Sequence, residues 1–168
     1  MTVEEKVVLV DEQDNEVGVC EKLQAHVEGK LHRALSVILF NDQGELLLQQ
    51  RAHSKYHSGG LWTNTCCSHP RPGEPALDAA KRRLFEEMGI CCALDKSFDF
   101  VYRAVVDKNL IEHEFDHVYF GRFNAEPQLN PEEAAAWKWM GLAALKKDVE
   151  QHPECYTAWF KILLSKLS

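Results

Sequence analysis

The sequence predicts an α/β fold, a mixed β-sheet sandwiched by covering helices, and three observations predict it. Short strand-like runs pair across polar turns, and one strongly patterned helix is bounded by Pro75 and Gly89. The carboxy-terminal end then carries apolar side chains at helical spacing.

Taken in order, Val7–Val10 and Val17–Cys20 flank the polar pair Asp14-Asn15 and predict a short hairpin. Ala34–Phe40 and Leu46–Gln50 flank Asn41-Asp42-Gln43-Gly44, a second hairpin with a stronger turn signal. Residues 52 to 75 hold Gly, Pro, Ser and His without any period. Regular structure resumes on both sides, so this stretch predicts a long functional loop rather than a linker. Pro75 suits a first helical turn; Leu77, Ala80, Leu84 and Met88 form one apolar stripe after it, and Gly89 supplies the stop. Phe98–Val106 and Ile111–Phe120 predict strands joined through Asp107-Lys108-Asn109, and Trp137–Met140 a further short strand. Leu142–Glu150 predicts a helix. A last helix follows, with Tyr156, Phe160, Leu163 and Leu167 on its inner face.

At 168 residues the chain is one ordinary domain, spanning 1–168, long enough to bury roughly 70% of its unfolded surface. The net charge of −7 and the lack of a basic run argue against nucleic acid as a partner. An anionic substrate must therefore be held by local cations or by metal. The acidic amino terminus has no apolar signal core, and the longest apolar run is far too short to span a bilayer, so no membrane role is expected. Of the six cysteines, four lie in the adjacent pairs Cys66-Cys67 and Cys91-Cys92, with no CxxC spacing. That usage fits a reduced, cytoplasmic chain, in which Cys20, Cys91, Cys92 and Cys155 read as small buried hydrophobes.

Three clusters carry chemistry. In the helix, Glu86 and Glu87 follow Arg83 at three and four residues, so all three project to one side. An exposed Arg83–Glu87 ion pair is the ordinary explanation; a metal- or phosphate-binding face is the functional one. Farther on, Glu112, Glu114 and Asp116 alternate and share one face of a strand. Carboxylates about 7 Å apart repel by on the order of 2 kcal/mol, which a solvated edge tolerates and which a bound cation or a protonated glutamate would relieve. His26, His32 and His69 are scattered, but three imidazoles with two carboxylates suit Zn²⁺, Mn²⁺ or Mg²⁺, the nitrogens favouring a transition metal. In Trp62-Thr63-Asn64-Thr65-Cys66-Cys67-Ser68-His69-Pro70, Cys66 reads as packing. Cys67 reads as the reactive thiol, with a nearby cation or metal lowering its pKa toward thiolate. Lys22, Arg51, Lys55 and Arg83 are dispersed cations, and Tyr102, Trp62 and Trp159 read as core aromatics.

The helix, with Gly73-Glu74 before it and Arg-x-Leu-x-Glu-Glu-x-Gly-Ile at its end, resembles the Nudix box. It departs from that box at Ser68, where glycine is expected, and at Arg83, where a third glutamate is expected. Arginine there reduces the cation capacity of the face and adds a forked phosphate donor, which argues against hydrolysis. The wider set Glu21-Lys22, His26, Leu31-His32-Arg33-Ala34, Arg51-Ala52, Ser54-Lys55, Leu61–Pro70, Tyr102-Arg103-Ala104 and Glu112-x-Glu114 resembles the type 1 isopentenyl-diphosphate Δ-isomerases over nearly the whole chain.

The resemblance implies a compact Nudix-like α/β/α sandwich that interconverts isopentenyl and dimethylallyl diphosphate. It implies His26, His32, His69, Glu112 and Glu114 as ligands of a divalent transition metal or Mg²⁺, and Glu87 with the Cys67 carbonyl as ligands of a Mg²⁺ on the diphosphate. Lys22, Arg51, Lys55, Ser68 and Arg83 would bind that diphosphate, with Trp159 over the hydrocarbon. Cys67 and Glu114 would be the acid/base pair on opposite faces of the allyl unit, Tyr102 supporting Glu114. A small-molecule substrate and a monomer or weak homodimer are expected. A Nudix-type diphosphohydrolase and a noncatalytic metal-stabilised binding module are the other readings.

Overall fold

The computed structural model describes residues 5–167, and two of its strands carry the architecture. β3 (His32–Phe40) and β8 (Ile111–Arg122) run parallel and in register from His32 beside Glu114 to Phe40 beside Arg122. Parallel neighbours are stable when both sheet faces are covered, and the near-continuous apolar run of β3 meets that condition. Its side chains alternate between two cores. Leu35, Val37 and Leu39 pack with Ala79, Ala80, Leu84 and Met88 of α2 (Ala76–Met88). Ile38 packs on the other face with Leu145 of α3 (Leu142–Gln151) and with Phe160, Leu163 and Leu164 of α4 (Ala158–Ser165). The result is an α/β fold with helices on both sides of a mixed sheet.

The predicted first hairpin forms as β1 (Lys6–Val10) and β2 (Glu16–Glu21). The Asp11 carboxylate accepts from the backbone N–H groups of Gln13 and Asn15 in its turn. It is pinned to the sheet through Asp14, which accepts from Arg33 Nε at 2.8 Å and lies 2.9 Å from His117 Nε2.

The second hairpin differs from expectation. Its turn forms, with Asn41 Oδ1 accepting from the N–H groups of Gln43 and Glu45, but β3 and β4 (Glu45–Arg51) pair only at Phe40 and Leu46. Beyond that point they part. β3 takes β6 (Cys66–Ser68) as its neighbour, whereas β4 takes β5 (Trp62–Thr63) and β9 (Ala134–Gly141). Buried side chains satisfy the opened edges. Thr65 Oγ1 donates to the Leu47 carbonyl and accepts from Leu39 N–H, while Asn64 Nδ2 donates to the carbonyls of Val37 and Cys66. Buried backbone groups need such partners, so the Thr-Asn-Thr sequence is what lets the sheet split. The split opens the site.

Four further expectations are corrected. The long loop of residues 52–75 contains β5 and β6. Lys22–Glu28 forms α1, which ends at Gly29 (φ 70°) and which apolar periodicity misses because Leu23 and Val27 face solvent while Ala25 and His26 face inward. Tyr156 is buried but precedes α4 instead of lying on it. None of the four cysteines expected in the core is fully buried: Cys91 and Cys155 are exposed and Cys20 and Cys92 are partly so, because they fall in connecting segments and on a solvent-facing strand. β7 (Leu94–Val105) pairs antiparallel with β8 through a tight turn at Asp107–Asn109. No helix among the described residues is long and apolar enough to cross a membrane.

Candidate active site

Between β3 and β7, β8 is an interior strand, so Glu112, Glu114 and Asp116 are not on a solvated edge; all three are buried. Around the first two the fold gathers His26 from α1, His32 from the start of β3 and His69 from the end of β6. One ligand atom from each of these five residues lies within 4.8 Å of all the others. His26 Nε2 is 3.2 Å from Glu112 Oε1, while His32 Nε2 and His69 Nε2 lie 3.0 and 2.7 Å from Glu114 Oε2. The far ring nitrogens explain the orientation. His26 Nδ1 lies 2.6 Å from the Lys22 carbonyl and His32 Nδ1 2.9 Å from that of Lys30. A ring donating Nδ1–H to a carbonyl presents its Nε2 lone pair to the cluster, as metal-binding imidazoles do.

The electrostatics suit a divalent cation. Burial, with His32 and His26 beside it, holds His69 well below the ordinary imidazole pKa, so it is a neutral donor. Burial and the charges of Glu114 and Glu112 push Asp116 well above the carboxylate range, and Ser36 Oγ donates to it at 2.7 Å. Burial also acts to raise Glu114, but the contacts of its carboxylate with the His32 ring and the Tyr102 hydroxyl help bring it down to about 2. Glu112 Oε2 is buried without any hydrogen-bond partner, an orphan acceptor of the kind an ion satisfies. Three nitrogens and two carboxylates in this packing fit a divalent ion.

Cys67 sits beside this group. Burial, reinforced by nearby Asp116, pushes its thiol up to about 12, so Cys67 holds its proton instead of resting as thiolate. Sγ donates to Asn64 Oδ1 at 2.8 Å and accepts from Trp159 Nε1 at 3.0 Å. Trp159 thus packs in the core and also touches the Cys67 sulfur, and Tyr102, in register with Glu114 across β7 and β8, donates its hydroxyl to Glu114 Oε1.

The dispersed cations converge. Lys22, Arg51, Lys55, Ser68, Arg83 and Trp159 all line one cavity, together with Cys67, Glu87 and Glu114. Arg83 is held by Glu87 at 2.7 Å, by Glu86 at 3.0 Å and by Glu133 at 3.1 Å, and donates through Nε to Ser68 Oγ. Arg51 lies over the Trp159 ring at 5.0 Å. Glu87 belongs to this cationic end, accepting from Gln49 and Arg83; neither it nor Cys67 is among the five converging donors. Glu5, His57 and Glu133 are among the lining residues that went unrecognised in the sequence. Glu133 ties Lys55 and Arg83 together, Glu5 pairs with Lys22 at 2.6 Å, and His57 abuts Glu112. No spacing or repeat marks any of them, because each arrives from a separate segment.

The chain matches the NUDIX domain family over residues 30–160. It is 54% identical to isopentenyl-diphosphate Delta-isomerase 2 of Aromatoleum aromaticum, over 98% of this chain and 87% of that one. It is 52% identical to isopentenyl-diphosphate Delta-isomerase of Pectobacterium atrosepticum, over 96% and 90%. Among solved structures, DR0079 from Deinococcus radiodurans superposes with a TM-score of 0.72 at 22% identity, covering 91% of this chain and all of its own, which is a likeness of fold. With the NUDIX domain spanning most of its length and half its residues shared with these relatives, the chain belongs to the isopentenyl-diphosphate Delta-isomerase family of NUDIX-domain proteins.

Proposed function

We propose that Cys67 and Glu114 are the two proton-handling groups of an allylic isomerisation, the interconversion of isopentenyl and dimethylallyl diphosphate. In that reaction a proton is added to the terminal carbon, positive charge develops at the tertiary carbon, and a proton leaves the carbon next to the diphosphate-bearing methylene. Nothing is oxidised and no phosphate bond breaks. An unactivated alkene is a very poor base, so the acid must be positioned in a dry site. The observation that carries the reading is the Cys67 thiol, fixed between Asn64 and Trp159 in the cavity that also holds Glu114 and four cations.

Cys67 works at one face of the allyl unit and Glu114, with the Tyr102 hydroxyl on it, at the other. Trp159 faces the cation with a ring that cannot add to it. Lys22, Arg51, Lys55, Ser68 and Arg83 bind the diphosphate, displacing carboxylates such as Glu5 and Glu133 from them. When bound, Mg²⁺, Mn²⁺ or Zn²⁺ at the His26, His32, His69, Glu112 and Glu114 group fixes the Glu114 carboxylate, and Mg²⁺ at Glu87 and the Cys67 carbonyl neutralises diphosphate charge. The whole chain acts as one domain, as a monomer or weak homodimer, and its exposed thiols suit the reducing cytoplasm.

Incubation with Mg²⁺ and isopentenyl diphosphate tests this reading. Dimethylallyl diphosphate is the expected product. Phosphate release would mark a diphosphohydrolase, and no product at all a binding module. Arg83, standing where a hydrolytic face needs a third carboxylate, favours the isomer.

A further inference from the structure

His57 has no part in the chemistry above, yet it is 1% exposed and touches the metal-type cluster from the outside. Its Nε2 lies 2.6 Å from Glu112 Oε1, off the line of a good hydrogen bond, and is a buried atom with no other partner. Because His57 is not one of the five converging donors, no shared ion stands between these two atoms, and a hydrogen on Nε2 is what makes the contact attractive. Ser58 supplies the reason that one sits there: its hydroxyl lies 2.9 Å from His57 Nδ1, and a hydroxyl donating there leaves the ring hydrogen on Nε2.

The contact is held from both ends. Ser58 N–H donates to Asp107 Oδ1 at 2.7 Å, in the turn that leads into β8 and so to Glu112. The His57 carbonyl accepts from Arg51 Nη2 at 3.1 Å, and the ring packs edge-on against Tyr56 and Trp159. Glu112 itself has one oxygen occupied by His57 and His26, while Oε2 is buried and free. His57 is not one of the donors that converge within 4.8 Å, so it is not placed to bind an ion with the others.

We propose that His57 is a positioning residue for Glu112: it engages Oε1 from outside the cluster and thereby commits Oε2 to a divalent ion. The proposal rests on the metal reading of the His/Glu group and goes beyond it by naming what orients that group. Partners of this kind set ligand direction, and their loss weakens metal binding by about 10–100-fold.

The test is titration of metal-free protein with Mn²⁺, following free Mn²⁺ by its electron paramagnetic resonance signal. His57→Leu is expected to raise the Mn²⁺ Kd by about 10–100-fold, and His57→Gln, which can return an N–H to Glu112, to recover most of the loss. In a Glu112→Gln background His57→Leu should change the Kd no further, since the partner through which it acts is gone. A His57→Leu protein that binds Mn²⁺ within twofold of wild type overturns the proposal, as does an equal loss in both backgrounds. A purely structural histidine would lower the melting temperature of the metal-free protein and leave Kd unmoved. Should His57→Leu not fold, Ser58→Ala decides: a weakened Kd supports the proposal and an unchanged one overturns it. Wild-type protein that takes up no Mn²⁺ would instead overturn the metal reading beneath it.

Discussion

The indole N–H of Trp159 donates to the sulfur of Cys67 across 3.0 Å, joining α4 to β6. A tryptophan on the carboxy-terminal helix thus fixes the Cys67 side chain while its ring borders the cavity.

Trp159→Phe separates those duties. Phenylalanine keeps the packing against the core but loses the N–H and has a weaker quadrupole. Since such cation–π contacts are worth about 0.5–2 kcal/mol, kcat should fall by roughly two- to thirtyfold at temperatures where the fold persists. A variant with unchanged kcat and a lower Tm would return Trp159 to a packing role.

Cys67→Ser should remove most turnover while the fold survives, because a hydroxyl is a weaker acid than a thiol. Cys66→Ser, in the core without a place in the cavity, should cost stability more than rate. Equal loss of rate from both would end the assignment. The pH dependence follows from the raised thiol. With a pKa of about 12, only about one Cys67 in ten thousand is thiolate at pH 8, rising tenfold per pH unit. Iodoacetamide at pH 8 should therefore label the exposed Cys91 and Cys155 well before Cys67, as read by peptide mass spectrometry.

Arg83 divides isomerase from hydrolase. Replacing it with alanine should raise the KM for isopentenyl diphosphate through loss of a charge-assisted contact. Arg83→Glu should do more harm, since it places another carboxylate beside Glu86, Glu87 and Glu133 and repels the diphosphate. Steady-state kinetics check both. Intact isomerisation by Arg83→Glu, or efficient phosphate release by wild type from a nucleoside diphosphate derivative, would favour hydrolysis.

Removing the divalent ion with a chelator should abolish isomerisation, and adding it back should restore it. Glu112→Gln should lower metal content measured by mass spectrometry, because the amide keeps the shape of the side chain and loses its charge. Full turnover by demonstrably metal-free protein would contradict the site.

Sequence by itself determined the turns, the amphipathic helix and the chemical types in the site. Asp14-Asn15 and Asn41–Gly44 declare turns by residue type, held by the side chains of Asp11 and Asn41. The stripe Leu77, Ala80, Leu84 and Met88 declares a helix because its period is local. Cys67, the histidines and the paired glutamates stand out as residue types, and their motifs carry the family. Tertiary structure alone decided which groups meet. His32 faces Glu114 because β3 and β8 lie parallel in one particular register, a pairing between segments far apart in the chain. Burial sets the proton affinity of Cys67 among the chain's own groups, since removing a thiol from water penalises its charged form. Glu5, His57 and Glu133 reached the site through contacts that leave no local period, and α1 formed without an apolar stripe because its inward face is Ala25 and His26.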